Sequence, residues 1–128
     1  MATNGTSNST AASEVIEPVV LLAEDEDALR DVYTTILEPI CTIRAVQDGN
    51  EAVETIDEEV DILLIDRRMP SLDGDKAVEE IRAAGYDPKV AMITAVDRTS
   101  NAPSVAVDEY LSKPTSNSEL RETVTQLS

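Results

Sequence analysis

The sequence predicts one doubly wound α/β domain. Two observations carry this: five short apolar runs alternate with amphipathic segments, and the first, third and fourth runs are apolar on both faces. A strand buried beneath helices on both sides loses the apolar-polar alternation of a half-exposed sheet, so such runs point to a parallel sheet with two helical layers. The chain has 128 residues, the size of one domain able to bury roughly two-thirds of its unfolded surface.

Residues 1–17, rich in Ser, Thr, Asn and Ala, hold little to bury and are expected to form a flexible tail. The domain is expected to span residues 18–128. Val19-Val20-Leu21-Leu22-Ala23 is the first strand. A helix follows in which Ala28, Leu29, Val32, Tyr33, Ile36 and Leu37 keep helical spacing. Thr42-Ile43-Arg44-Ala45-Val46 is the second strand, and the next helix places Ala52, Val53 and Ile56 on one face. Ile62-Leu63-Leu64-Ile65 is the third strand. The helix after it, around Ala77, Val78 and Ile81, should stop near Gly85. Val90-Ala91-Met92-Ile93 and Glu109-Tyr110-Leu111-Ser112 complete the strands. Ser116 and Glu119 form a capping box for a last helix through Leu120, Val124 and Leu127.

Charge narrows the function classes. Asp and Glu number 26 against 10 Lys and Arg, a net charge of -16. Such a surface repels phosphates, which argues against direct binding to nucleic acid or anionic membranes. Only Lys76, Lys89 and Lys113 are lysines, and Phe and Trp are absent, a bias that suits concentrated salt, where self-repulsion is screened. The single cysteine, Cys41, permits no disulfide framework and reads as a small buried hydrophobe in a reducing cytoplasm. No apolar run approaches the ~20 residues that span a bilayer.

In doubly wound sheets the working site lies beyond the carboxyl ends of the strands. Strand one there ends in Glu24-Asp25, strand three in Asp66, strand four in Thr94, and strand five runs into Lys113. Taken singly, each has a plain reading: Glu24 and Asp25 as helix caps, Asp66 in a turn, Thr94 as a strand hydroxyl, Lys113 as a solvated charge. Together they supply a carboxylate nucleophile, an all-oxygen pocket suited to Mg2+, a hydroxyl and an ammonium. Those are the parts that phosphoryl transfer needs.

The stretches "VVLLAEDEDALRDVY", "DILLIDRRMPSLDGDKAVEEIR", "AMITAV" and "DEYLSKP" resemble the receiver domain of two-component response regulators, across residues 18–128. The resemblance implies a flavodoxin-like (βα)5 fold with strand order 2-1-3-4-5. It implies that Asp66 accepts a phosphoryl group from a phosphohistidine on a sensor histidine kinase, and that the domain is a switch rather than a metabolic enzyme. Asp25 and Asp66 would bind Mg2+ directly, Glu24 through water, and Arg68 through its backbone carbonyl. Thr94 and Lys113 would engage the phosphoryl group, Tyr110 would be the switch aromatic, and the bond before Pro114 would be cis. "DRRMP", "VAMITAV" and the short interval from Thr94 to Tyr110 resemble receivers of haloarchaeal HalX-type regulators. That interval carries Pro103 and little amphipathic periodicity, so the fourth helix should be short or irregular.

An output domain or separate downstream protein is the implied recipient of the signal, and dimerisation is left open. HalX-type proteins usually carry a further helical domain, which favours reading this chain as a fragment of a longer regulator. Aspartate-dependent phosphohydrolases also use a strand-end Asp with Mg2+, but they need a second acid where this chain has Arg68. A nucleotide fold would need a Gly-rich phosphate loop, and none follows any strand. Arg68 itself reads either as a solvated arginine or as an influence on phosphoryl lifetime.

Overall fold

A computed structural model describes residues 17–95 and 105–128. Five strands, β1 (Val19–Ala23), β2 (Thr42–Val46), β3 (Ile62–Asp66), β4 (Lys89–Thr94) and β5 (Glu109–Ser112), form one parallel sheet in the order β2-β1-β3-β4-β5. Four helices accompany them: α1 (Asp27–Leu37), α2 (Gly49–Thr55), α3 (Gly74–Ala83) and α4 (Asn117–Leu127). The expected tail up to residue 16, and residues 96–104, where a short or irregular helix was expected between β4 and β5, fall outside the described residues.

The strict two-residue period of the central strands divides the core. Leu21, Ala23, Leu63, Ile65, Val90 and Met92 face one side and pack with Ala52 and Ile56 beside α2 and with Ala77, Val78 and Ile81 of α3. Val20, Leu22, Ile62, Leu64, Ala91 and Ile93 face the other side, against Tyr33, Ile36 and Leu37 of α1 and Leu120 and Val124 of α4. Fully burying a Val, Leu, Ile or Met side chain stabilises by about 1.5–3 kcal/mol, so both faces of β3 contribute. The outer strands, β2 and β5, are only partly buried, as edges with one neighbour must be.

Local signals set the element ends. Asp48 caps α2 by accepting from the Glu51 N–H at 2.8 Å. The Ser116–Glu119 capping box opens α4. Beyond α3, Gly85 takes a φ of +101°, in the left-handed region that favours glycine. Strands β3 and β4 reach Asp66 and Thr94 themselves, beyond the apolar runs that announced them. The helical face of α1 differs from expectation: Ala28 is exposed and Val32 is 49 % exposed. Tyr33, Ile36 and Leu37 already fill the contact with the sheet, with Leu29 packed beside them. Val32 instead borders a groove of about 290 Å³ together with Leu29, Tyr33, Ile36 and Pro114.

Cations bridge several seams. Arg44 of β2 pairs with Asp57 and Glu59 in the turn before β3. Arg121 of α4 donates to the Ile36 carbonyl of α1 at 3.2 Å, and Arg30 of α1 donates to the Glu24 carbonyl beyond β1 at 2.9 Å.

Leu64 is fully buried at the middle of the central strand. Leu64→Ala is expected to cost about 2–5 kcal/mol, measured by urea denaturation with an unchanged m-value. A loss below about 1 kcal/mol would show that this layer does not carry the core.

Candidate functional site

The parallel register makes the site. Ala23 of β1 pairs with Ile65 of β3, so the next residues, Glu24 and Asp66, lie at the same level. Asp66 pairs with Ile93, which places Thr94 one step further along β4. Thr94 pairs with Ser112, and Lys113 follows, its N–H donating to the Thr94 carbonyl at 2.9 Å. The Lys113–Pro114 peptide is cis.

Glu24 is fully buried, Asp66 and Thr94 nearly so, and Asp25 is half-buried. Lys113 Nζ lies 2.8 Å from Asp66 Oδ2 and 3.4 Å from Glu24 Oε1. The first contact is a hydrogen-bonded ion pair; the second is an ionic approach only. Glu24 Oε2 accepts from the Glu26 N–H at 3.1 Å, whereas Glu24 Oε1 is buried without a hydrogen bond. Buried polar atoms nearly always have partners, so this orphaned oxygen calls for one. Carboxylate oxygens of Glu24, Asp25 and Asp66 all lie within 4.8 Å of one another. An oxygen-only donor set with one unsatisfied buried member fits a hard divalent cation such as Mg2+.

Burial pushes the Glu24 carboxyl up to about 7, with the Asp66 charge adding to the rise while the Glu26 N–H and Lys113 oppose it. For Lys113, burial alone would lower the ammonium. The hydrogen bond and charge of Asp66, with Glu24 behind them, outweigh it and hold the group above the ordinary lysine range.

The loop from β3 to α3 folds tightly over this end. The Arg68 N–H donates to Asp66 Oδ1 at 3.3 Å, and the Arg68 side chain is exposed. Ser71 takes a φ of 72°, unusual for a residue other than glycine. Gly74 opens α3 where a Cβ would meet the Asp66 carbonyl oxygen at 2.6 Å, so only glycine lets the helix start this close. Tyr110 is half-buried and packs on the core face shared with α2 and α3.

The structure thus gathers Glu24, Asp25, Asp66 and Lys113 at one end of the sheet, with Thr94 beside them in register and Tyr110 further back on β5. Sequence reasoning missed what Arg67 does. Its guanidinium meets Asp75 through Nε–Oδ1 at 3.1 Å and Nη2–Oδ2 at 3.3 Å, with side-chain exposures of 12 % and 17 %. The signal was present: an acid eight residues on, in the first turn of the following helix.

Comparison with known proteins gives the family. The response regulator receiver domain family matches residues 20–125. The chain belongs to that family, whose members are phosphorylated on an aspartate. It is 38 % identical, over 99 % of its length, to a proposed transcriptional regulator of Haloferax volcanii, and spans 22 % of that protein. It is 34 % identical to the transcriptional regulatory protein CutR of Streptomyces coelicolor over 79 % of its length, covering 49 % of CutR. The chain therefore spans about half or less of these relatives. Among solved structures, the receiver domain of sensor histidine kinase PA1611 from Pseudomonas aeruginosa, with magnesium in its active-site cleft, is similar with a TM-score of 0.76. That pair is 27 % identical, with 87 % of this chain and 97 % of that one covered. The response regulator TrrA of Thermotoga maritima, in complex with Mg2+-BeF, is similar with a TM-score of 0.75 at 29 % identity, covering 87 % of this chain and 99 % of that one.

The raised Glu24 carboxyl has a direct consequence for stability. Its folded-state pKa, about 7, lies above its ordinary value of 4.5, so the folded state holds this proton more tightly. The resulting stabilisation is complete below about 4.5 and is lost as pH rises through about 7. In the absence of divalent ions, the urea stability of Glu24→Gln relative to the parent should increase between pH 4.5 and 7.5. Parallel curves would contradict the assignment.

Proposed function

We propose that this chain is the receiver of a haloarchaeal HalX-type regulator, and that Asp66 takes a phosphoryl group from a sensor kinase phosphohistidine. The observation that carries this reading is the contact of 2.8 Å between Lys113 Nζ and Asp66 Oδ2 within a group of mutually close carboxylates. An Asp66 carboxylate oxygen attacks phosphorus, forming an O–P bond. The N–P bond of the phosphoimidazole breaks, and the departing nitrogen keeps the electron pair. Burial at the end of a central strand fixes the direction of that attack.

Lys113 then turns from Asp66 to the new phosphoryl oxygens, and the Thr94 hydroxyl donates to another of them. Tyr110, half-buried on the neighbouring strand, follows Thr94 inward and reports the change at the surface. Asp25 and Asp66 would hold Mg2+ directly, Glu24 through a water, and Arg68 by its main-chain carbonyl. When bound, the ion supplies positive charge against the crowded carboxylate and phosphoryl oxygens. The domain catalyses its own phosphorylation and dephosphorylation and turns over no metabolite. It acts in the cytoplasm with a sensor histidine kinase and passes its state to a joined output domain or a downstream protein. Direct contact with nucleic acid is not part of this role. The haloarchaeal part of this reading is supported by 38 % identity to the Haloferax protein and by the net charge of -16.

Two measurements test these statements. Beryllofluoride with Mg2+ should shift the amide resonances of Thr94 and Tyr110, and Asp66→Asn should abolish the response; a variant that responds like the parent removes Asp66 from its role. Salt should stabilise the fold, because the distance over which charges interact falls from about 10 Å at 0.1 M to about 3 Å at 1 M. A rise in Tm of at least about 5 °C, on the order of 1 kcal/mol, is expected between 0.1 and 2 M KCl. A flat or falling Tm would separate the acidic composition from salt adaptation.

A further inference from the structure

The pair of arginines after Asp66 divides its labour unequally. Arg68 is exposed, whereas Arg67 is held on every side. Its N–H donates to the Ile93 carbonyl of β4 at 2.8 Å, and its carbonyl accepts from the Gly74 N–H at 2.7 Å. Its guanidinium grips Asp75 in the first turn of α3 at two points, 3.1 and 3.3 Å. These contacts close the neck of the loop formed by residues 68–73, whose first N–H reaches Asp66 Oδ1 at 3.3 Å. The loop contains Ser71 in a left-handed conformation, a state that costs free energy and persists only where surroundings enforce it. At its neck, Gly74 removes the side chain that would collide with the Asp66 carbonyl.

We propose that the Arg67–Asp75 pair is a latch that positions the loop for metal binding and phosphoryl acceptance. This role rests on that of Asp66 and its metal proposed above. A two-point guanidinium–carboxylate contact fixes orientation as well as distance. With both side chains largely shielded from water, it is screened far less than an exposed pair. Opening it frees α3 to pivot about Gly74 and lets the Arg68 backbone lose its aim at Asp66. Arg67 and Asp75 are positioning residues and touch neither the phosphoryl group nor the metal.

The test uses Arg67→Met, Asp75→Asn and the exchanged pair Arg67→Asp with Asp75→Arg. Calorimetric Mg2+ titration and amide exchange of residues 68–74 in divalent-free buffer are the readouts. Partners that orient metal ligands typically change affinity by about 10–100-fold. Each single variant should therefore weaken Mg2+ binding about tenfold and speed exchange in the loop, while β4 amides stay protected. The exchanged pair should recover most of the affinity, which a general loss of stability would not produce. Mg2+ affinity within twofold of the parent in both single variants, or no recovery in a folded exchanged pair, would overturn the proposal. Asp66→Asn is the control for the underlying reading. If it leaves the parent's Mg2+ binding intact, the site assignment fails and the latch with it. If it weakens binding while the latch variants do not, the latch alone fails.

Discussion

The ion pair between Lys113 and Asp66 is the constraint on which the carboxyl end of the sheet depends. Two central strands deliver Glu24, Asp25 and Asp66 to one place, Glu24 fully buried and Asp66 almost so. Such a group repels itself, and desolvation penalises every charge in it. A single ammonium, brought by the short edge strand β5, is the counter-charge among the described residues. This explains why a strand of only four residues must pair with β4 in a fixed parallel register. A slip by one residue would turn the Lys113 side chain to the other face and leave the carboxylates uncompensated. The remaining imbalance is visible as an orphaned Glu24 oxygen and a carboxyl that readily holds a proton.

Most of the fold was legible because its determinants are local. The two-faced apolar runs of β1, β3 and β4 announce a covered parallel sheet, and Ser116 with Glu119 announces the start of α4. The convergence at the strand ends was legible for a topological reason: parallel strands of similar length end at one edge, so terminal residues separated by dozens of positions meet there. Glu24, Asp25, Asp66 and Lys113 could therefore be placed together from strand boundaries alone.

What was not legible depends on three-dimensional competition. Val32 fits the helical apolar face of α1 as well as Tyr33 does, but the sheet offers contact for only part of that face. The larger neighbours take it, and periodicity cannot tell which residue loses. Arg67 and Asp75 are separated by a turn whose path is set by Ser71 and Gly74, so their bidentate geometry follows from a backbone conformation that residue types alone do not specify. The same holds for Glu24 Oε1: the sequence suggests an acid at that position, and only packing shows that one oxygen has hydrogen-bonding company and the other lacks it.

The cations that bridge the seams have a thermodynamic consequence. Arg30, Arg44, Arg67, Lys113 and Arg121 each tie one element to another, which commits half of the 10 positive charges in the chain to its interior joints. Most of the 26 acidic side chains are left to be neutralised by counterions from solution. Folding concentrates that charge and so draws ions in, making the ion atmosphere a reactant in the folding equilibrium. A free energy of unfolding for this domain is then defined only at a stated salt activity, much as the stability of a dimer is defined only at a stated protein concentration.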